Sequence, residues 1–114
     1  MGVAVKSTLT FGCFLALSGC MNMSTQPSQI TGSYISTLRY EPFDCNRLAL
    51  ERDDLVERER KLAMAQEQRV KSSQMQAFWI GYGQGDGIEA AELASVRGQL
   101  DAVRKTMALK SCQN

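Results

Sequence analysis

Cysteines are the residues of this chain whose chemistry is easiest to infer, and there are four of them among 114 residues. Cys13 and Cys20 lie near the N-terminus, whereas Cys45 and Cys112 lie far apart in the remainder. A thiol can form a disulfide, bind a metal, act as a nucleophile or carry a lipid. The sequence contains no histidine, which is the commonest general base and the commonest metal ligand. We therefore expect covalent roles for the cysteines and do not expect an enzyme, a metal site or a cofactor.

The first nineteen residues have the pattern of an export signal. Lys6 is their only charged residue, and residues 9–17 form an apolar run that is interrupted by Thr10. A basic start followed by a short apolar stretch is typical of a secretory signal peptide. A membrane-spanning helix needs about 20 predominantly apolar residues, so a permanent N-terminal anchor helix is the weaker alternative. Residues 1–19 are accordingly predicted to be a signal peptide.

The signal ends in Leu17-Ser18-Gly19-Cys20, in which two small residues give a peptidase access to the backbone before the thiol. This tetrapeptide resembles the lipobox of bacterial lipoproteins. The resemblance implies cleavage before Cys20, a diacylglyceryl thioether on its sulfur and usually an N-acyl chain. Two or more acyl chains hold a protein stably on a membrane. In bacterial lipoproteins, an aspartate directly after the lipidated cysteine favours retention in the inner membrane. Here Met21 follows Cys20, so the resemblance favours the outer membrane. The alternative is a secreted protein with an incidental cysteine.

The mature chain is predicted to begin with a tether over residues 20–38, which are rich in Ser, Thr, Gln and Asn. Such a composition buries too little apolar surface to offset the entropy lost on ordering, so we expect a flexible spacer. Residues 34–40 alternate weakly between apolar and polar types, and we expect them to form a short extended arm along the helices. Without Lys6 the basic and acidic residues are equal in number, which gives no general attraction for nucleic acid.

Residues 39–114 have the periodicity of two helices, at about 44–77 and 87–111. The first has apolar residues every seven positions and acid–base pairs on its other face, and the second has alternating four- and three-residue spacing. The apolar positions of the two helices are Leu48, Leu55 and Leu62, and then Leu93, Val96, Leu100, Val103 and Met107. The fold class is therefore expected to be all-α, as an antiparallel helical hairpin.

Three polar or small residues mark details of these helices. Asp44 is expected to cap the first helix, and Asp86 with Glu89 three residues later has the spacing of a capping box for the second. Gly98 lies inside the second helix, where glycine costs about 1 kcal/mol relative to alanine. We therefore expect either the first helix or the Tyr40–Phe43 region to pack closely against Gly98.

Cys45 and Cys112 lie at the first turn of the first helix and the last turn of the second. An antiparallel hairpin brings these two turns together, and an exported protein folds in an oxidising compartment. We therefore predict a structural disulfide between them. The alternative, a redox-active or metal-binding pair, would favour closer spacing and histidine partners.

The segment between the helices combines aromatic residues with glycines at 81, 83, 85 and 87. Phosphate binding is not supported, since no strand precedes these glycines and no Lys-Ser/Thr follows them. Four large side chains here either cap the open end of the hairpin or are exposed as a contact for a partner or a membrane: Phe78, Trp79, Ile80 and Tyr82.

The order of these motifs resembles that of a group of small, poorly characterised lipoproteins of Gram-negative bacteria. The shared features are the lipobox, Tyr40-x-x-x-x-Cys45-x-x-Leu48, the Phe78-Trp79 centre with its glycines, residues 89–94 followed by Arg97-Gly98, and Cys112. In that group the centre is a longer apolar run. The resemblance implies a fold and an address at the periplasmic face of the outer membrane, but no activity.

These features favour a lipid-anchored envelope lipoprotein with a structural or protein-interaction role, which binds an envelope partner through its helices. Alternatives are a pilotin-like chaperone for a secretion component, self-association into a four-helix bundle, and membrane or small-ligand contact through the aromatic tip. An enzyme is not expected, because the many carboxylates lie beside bases on a solvated helix face.

Overall fold

The computed structural model describes residues 22–113, which form an all-helical hairpin. Helix α1 spans Cys45–Ile80 and helix α2 spans Ile88–Leu109, and the two pack against each other. Two short 3₁₀ helices precede them, at Pro27–Gln29 and Thr37–Tyr40. This confirms the predicted fold class. The predicted signal peptide and the lipidation residue Cys20 lie outside the described residues.

Helix α1 begins at the predicted cap and ends three residues later than expected. The Oδ1 of Asp44 accepts a hydrogen bond of 2.8 Å from the backbone N–H of Arg47. At the other end Gly81 has a left-handed backbone, with φ at 89°, and its N–H donates to the carbonyl of Ala77. Aromatic and β-branched residues are tolerated in a helix, so α1 continues until the first glycine stops it.

The hydrophobic core lies between the helices, and its main cluster is near the start of α1 and the end of α2. Leu48 and Leu55 of α1 are buried, as are all five predicted apolar positions of α2, whereas Leu62 is only partly buried. Tyr40 is 1% exposed and packs edge-on against Phe43, with ring centroids 5.6 Å apart. The residues before α1 therefore contribute to the core.

Cys45 and Cys112 form a disulfide, with their Cα atoms 5.5 Å apart. The bond joins the start of α1 to the residues that follow α2. The predicted pairing is thereby confirmed. We refer to this end of the hairpin as the disulfide end.

The sequence predicts a flexible tether over residues 20–38, whereas in the structure residues 22–38 lie along the helices and contact them. We call residues 22–40 the N-terminal segment, which lies along the helices and is held by polar contacts. The N–H of Ser33 donates to the carbonyl of Ala94 at 2.9 Å, and the guanidinium of Arg97 donates to the carbonyls of Pro27 and Ile30. Composition did not indicate this arrangement, because hydrogen bonds to groups on the helices hold the polar part of the segment, while Ile35 and Tyr40 pack into the core.

Gly98 is the position where the N-terminal segment comes closest to α2. A Cβ atom at Gly98 would lie 1.9 Å from the carbonyl oxygen of Ser33, and one at Gly32 would lie 2.9 Å from the backbone N of Gly98. The expected close neighbour of Gly98 is therefore present. It is the N-terminal segment, and not α1 or the Tyr40–Phe43 region.

Candidate functional site: the aromatic tip

The aromatic tip consists of Phe78, Trp79, Ile80 and Tyr82. The first three lie in the last turn of α1, and Tyr82 lies in the bend that follows. Their side chains are exposed, by 79% for Phe78, 74% for Trp79 and more than half for the other two. Of the two arrangements that the sequence allowed, the cap over the open end is therefore wrong and the exposed tip is correct.

Exposed apolar side chains are concentrated in the tip and in the residues next to it. The Phe78 and Trp79 rings meet edge to face, with centroids 5.4 Å apart. Met75 and Ile88 on either side of the tip are more than 60% exposed as well. Large exposed apolar patches mark contacts with proteins, ligands or membranes.

The bend beneath the tip is fitted closely to α1 and to the N-terminal segment. The hydroxyl of Ser73 accepts a hydrogen bond of 3.1 Å from the N–H of Gln84, and the hydroxyl of Ser24 donates to the carbonyl of Gly85. A Cβ atom at Gly83 would lie 2.1 Å from the Ser73 hydroxyl. Glycine is therefore needed in the bend for close packing, which explains the repeated glycines without a phosphate ligand.

Asp86 fastens the N-terminal segment to the bend. Its carboxylate accepts hydrogen bonds from the backbone N–H of Thr25 at 2.6 Å, from the Thr25 hydroxyl, and from the side-chain amide of Gln66 at 2.9 Å. The same amide group donates to the carbonyl of Thr25 at 2.8 Å. Burial alone would raise the pKa of Asp86, but these hydrogen bonds and the nearby Arg69 together hold it below its ordinary value.

The capping box predicted from Asp86 and Glu89 is consequently wrong. The N-cap of α2 is Gly87, which provides no side-chain hydrogen bond. Asp86 is engaged by Thr25, and Glu89 forms an ion pair with Arg69 of α1 at 3.0 Å. Hydrogen bonding to Arg69 lowers the pKa of Glu89. Both acids therefore join separate parts of the chain instead of capping their own helix.

A second surface lies between the helices on a face that the N-terminal segment leaves uncovered. It is a shallow groove of about 420 Å³ with an apolar floor of Leu62 and Val96. The polar side chains around it come from both helices: Arg58, Lys61, Glu92, Ser95 and Gln99. A groove of this size can receive a side chain from a partner.

Sequence reasoning missed the polar site formed by Thr25, Gln66 and Asp86. No local signal marks it, because these residues are 20 to 61 positions apart along the chain. Within residues 22–113, no three potential ligands are grouped to hold a metal ion, and no helix is long and apolar enough to cross a membrane. Comparisons of the chain with protein-family models, with curated proteins and with solved structures found no match.

Proposed function

We propose that the chain is the precursor of a lipid-anchored envelope lipoprotein, held at the periplasmic face of the outer membrane by a lipid on Cys20. Its role is structural or one of protein interaction, with an envelope partner bound through the helices. The observation that carries the proposal is the Leu17-Ser18-Gly19-Cys20 sequence at the end of the apolar run. The Cys45–Cys112 disulfide supports it, since such bonds persist in oxidising compartments such as the periplasm.

The anchor is tested by replacing its acceptor thiol. Cys20→Ala should abolish labelling by radioactive fatty acid and release the protein from the membrane fraction. Cys13→Ala is the matched control, because Cys13 lies within the predicted signal peptide and should be lost on maturation. Unchanged labelling and fractionation of the Cys20→Ala protein would refute the lipid anchor.

The interaction role is tested by photo-cross-linking in intact cells. A photoreactive amino acid at Gln99 would face the groove, whereas one at Gln68 lies at an exposed position of α1 outside the groove. We expect a single stoichiometric envelope partner at Gln99 and none at Gln68. A secretion component as that partner would make the protein a pilotin-like chaperone, and a second copy of the chain would indicate a four-helix bundle. Capture of nothing at either position would contradict binding through the groove.

A further inference from the structure

The N-terminal segment determines which end of the hairpin the lipidated residue is near. Asn22 packs against the bend, since its side chain lies 2.7 Å from where a Cβ of Gly85 would be. Only two residues of chain separate Asn22 from position 20, and two residues span at most about 7 Å. The backbone carbonyl of Asn22 also lies 3.2 Å from where a Cβ of Gly83 would be. Ile80 and Tyr82 of the tip are within three positions of Gly83 in the sequence. A lipid on Cys20 is therefore held near the aromatic tip and far from the disulfide end.

The two chain segments that meet at this end contain no charged residue. Residues 20–38 have no acid or base, and neither do residues 72–85. Asp86, the next acid, has its carboxylate occupied by Thr25 and Gln66. Placing an unpaired charge in a medium of low dielectric constant is costly. The charged side chains next to the bend, Arg69 and Glu89, are paired with each other, so this end can approach hydrocarbon at less cost than the disulfide end. The disulfide end, in contrast, carries Arg39, Glu41, Asp44, Arg47 and Lys110.

We infer that the aromatic tip is a second membrane contact, which rests on the same bilayer that holds the Cys20 lipid; this inference depends on the lipid anchor proposed above. Trp79 and Tyr82 have the amphipathic rings that favour the bilayer interface, and Phe78, Ile80 and Ile88 add apolar surface. The hairpin then stands on its tip, with its disulfide end directed away from the membrane. Because no basic residue belongs to the tip, the contact requires no anionic lipid and is insensitive to salt.

Trp79 is the only tryptophan of the chain, so its fluorescence reports on the tip alone. The mature protein is purified from membranes, its lipid is verified by mass, and it is reconstituted into phosphatidylcholine vesicles with or without brominated lipid. We expect a blue-shifted Trp79 emission, a loss of intensity with brominated lipid, and protection from acrylamide. These effects should be equal at low and high salt.

The matched control moves the tryptophan to the other end of the same helix. In a Trp79→Phe background, Leu50→Trp places the reporter at a position that is 73% exposed. It lies roughly eight turns, or about 44 Å, from residue 79 and on the same side of α1. We expect brominated lipid to leave the fluorescence of this variant unchanged. Helix content and the non-reduced mass verify that both proteins are folded.

Each other outcome contradicts a defined part of the inference. If acrylamide quenches Trp79 freely in lipidated, vesicle-bound protein, the membrane contact is refuted, while the lipid anchor is not. Equal quenching at positions 79 and 50 means that the hairpin lies flat. Protection from acrylamide without quenching by brominated lipid means that a second copy covers the tip. A mature protein without a lipid mass refutes the anchor itself, and the inference with it.

Discussion

Asp86 accepts hydrogen bonds from both the backbone N–H and the hydroxyl of Thr25, although the two residues are 61 positions apart. Gln66 of α1 donates to both of them, to the carboxylate of Asp86 and to the carbonyl of Thr25. The N-terminal segment, α1 and the bend are therefore joined at one polar site. Since Thr25 is five residues after the predicted lipidation position, this site also determines how closely the anchor is held to the hairpin.

Asp86→Ala should loosen the N-terminal segment at the bend. The variant leaves the Thr25 N–H and hydroxyl without their acceptor, which we expect to lower the free energy of unfolding by about 1–2 kcal/mol. Urea denaturation measures the loss, and faster hydrogen exchange at the Thr25 amide would localise it. Asp101→Ala is the control, because it removes only an exposed ion pair with Lys105 and should leave stability unchanged. Equal stability of the two variants would contradict the role assigned to Asp86.

The attachment of the N-terminal segment should weaken in acid. Because the folded pKa of Asp86 lies below its unfolded value, the carboxylate stabilises the fold fully above the unfolded pKa of about 3.9. That contribution is lost as the pH falls through the lower folded pKa. A pH titration followed at the Thr25 amide should show the change below about pH 4. Asp86→Asn should lack it, and an identical titration in both proteins would refute the assignment.

Gly98→Ala should destabilise the protein even though alanine is the better helix former. In an exposed helix the substitution would add about 1 kcal/mol of stability. Here the new methyl group would collide with the carbonyl oxygen of Ser33. Such overpacking costs about 1–3 kcal/mol or more, which we expect to exceed the gain in helix propensity and give a net loss of stability. Urea denaturation tests this, with Glu92→Ala at an exposed position of α2 as the neutral control. A stabilised Gly98→Ala protein would mean that the segment does not press on α2.

The disulfide should contribute more stability than any single hydrogen bond of the hairpin. It closes a loop with a sequence separation of 67, for which the chain-entropy model gives roughly 4 kcal/mol. The paired substitution Cys45→Ser/Cys112→Ser should therefore lower the urea midpoint strongly, and reductant should have the same effect on the native protein. The pairing would be wrong if both thiols of the unreduced, unfolded protein reacted with iodoacetamide.

The helices and their disulfide could be predicted because their signals are local or follow directly from topology. Leu93 to Met107 repeat with helical spacing, and Cys45 and Cys112 meet once two helices run antiparallel. The position of the aromatic tip was predictable for the same reason. Its exposure was not, because periodicity indicates which residues share a face but not whether another segment covers them.

The course of residues 22–33 could not be predicted, because they are held by contacts with residues far along the chain. Ser24, Thr25 and Ser33 form hydrogen bonds with groups about sixty residues away, and nothing in a Ser/Thr-rich composition reveals these partners. The capping box predicted at Asp86 was wrong for a related reason. The spacing of Asp86 from Glu89 fits a capping box, yet a tertiary partner took precedence over the local motif.

The course of the N-terminal segment also determines how the protein would bear mechanical tension. The segment starts at the bend, is bound to α2 through Ser33 and Arg97, and reaches the disulfide end. Just beyond the segment, the ammonium group of Lys110 donates hydrogen bonds to the carbonyls of Glu41 and Phe43. Tension between a lipid at Cys20 and a partner near the disulfide end would therefore act on these contacts in shear, parallel to the helices. Contacts loaded in shear must break together, whereas contacts that are peeled break one at a time. The N-terminal segment would therefore resist being detached from the helices by such tension.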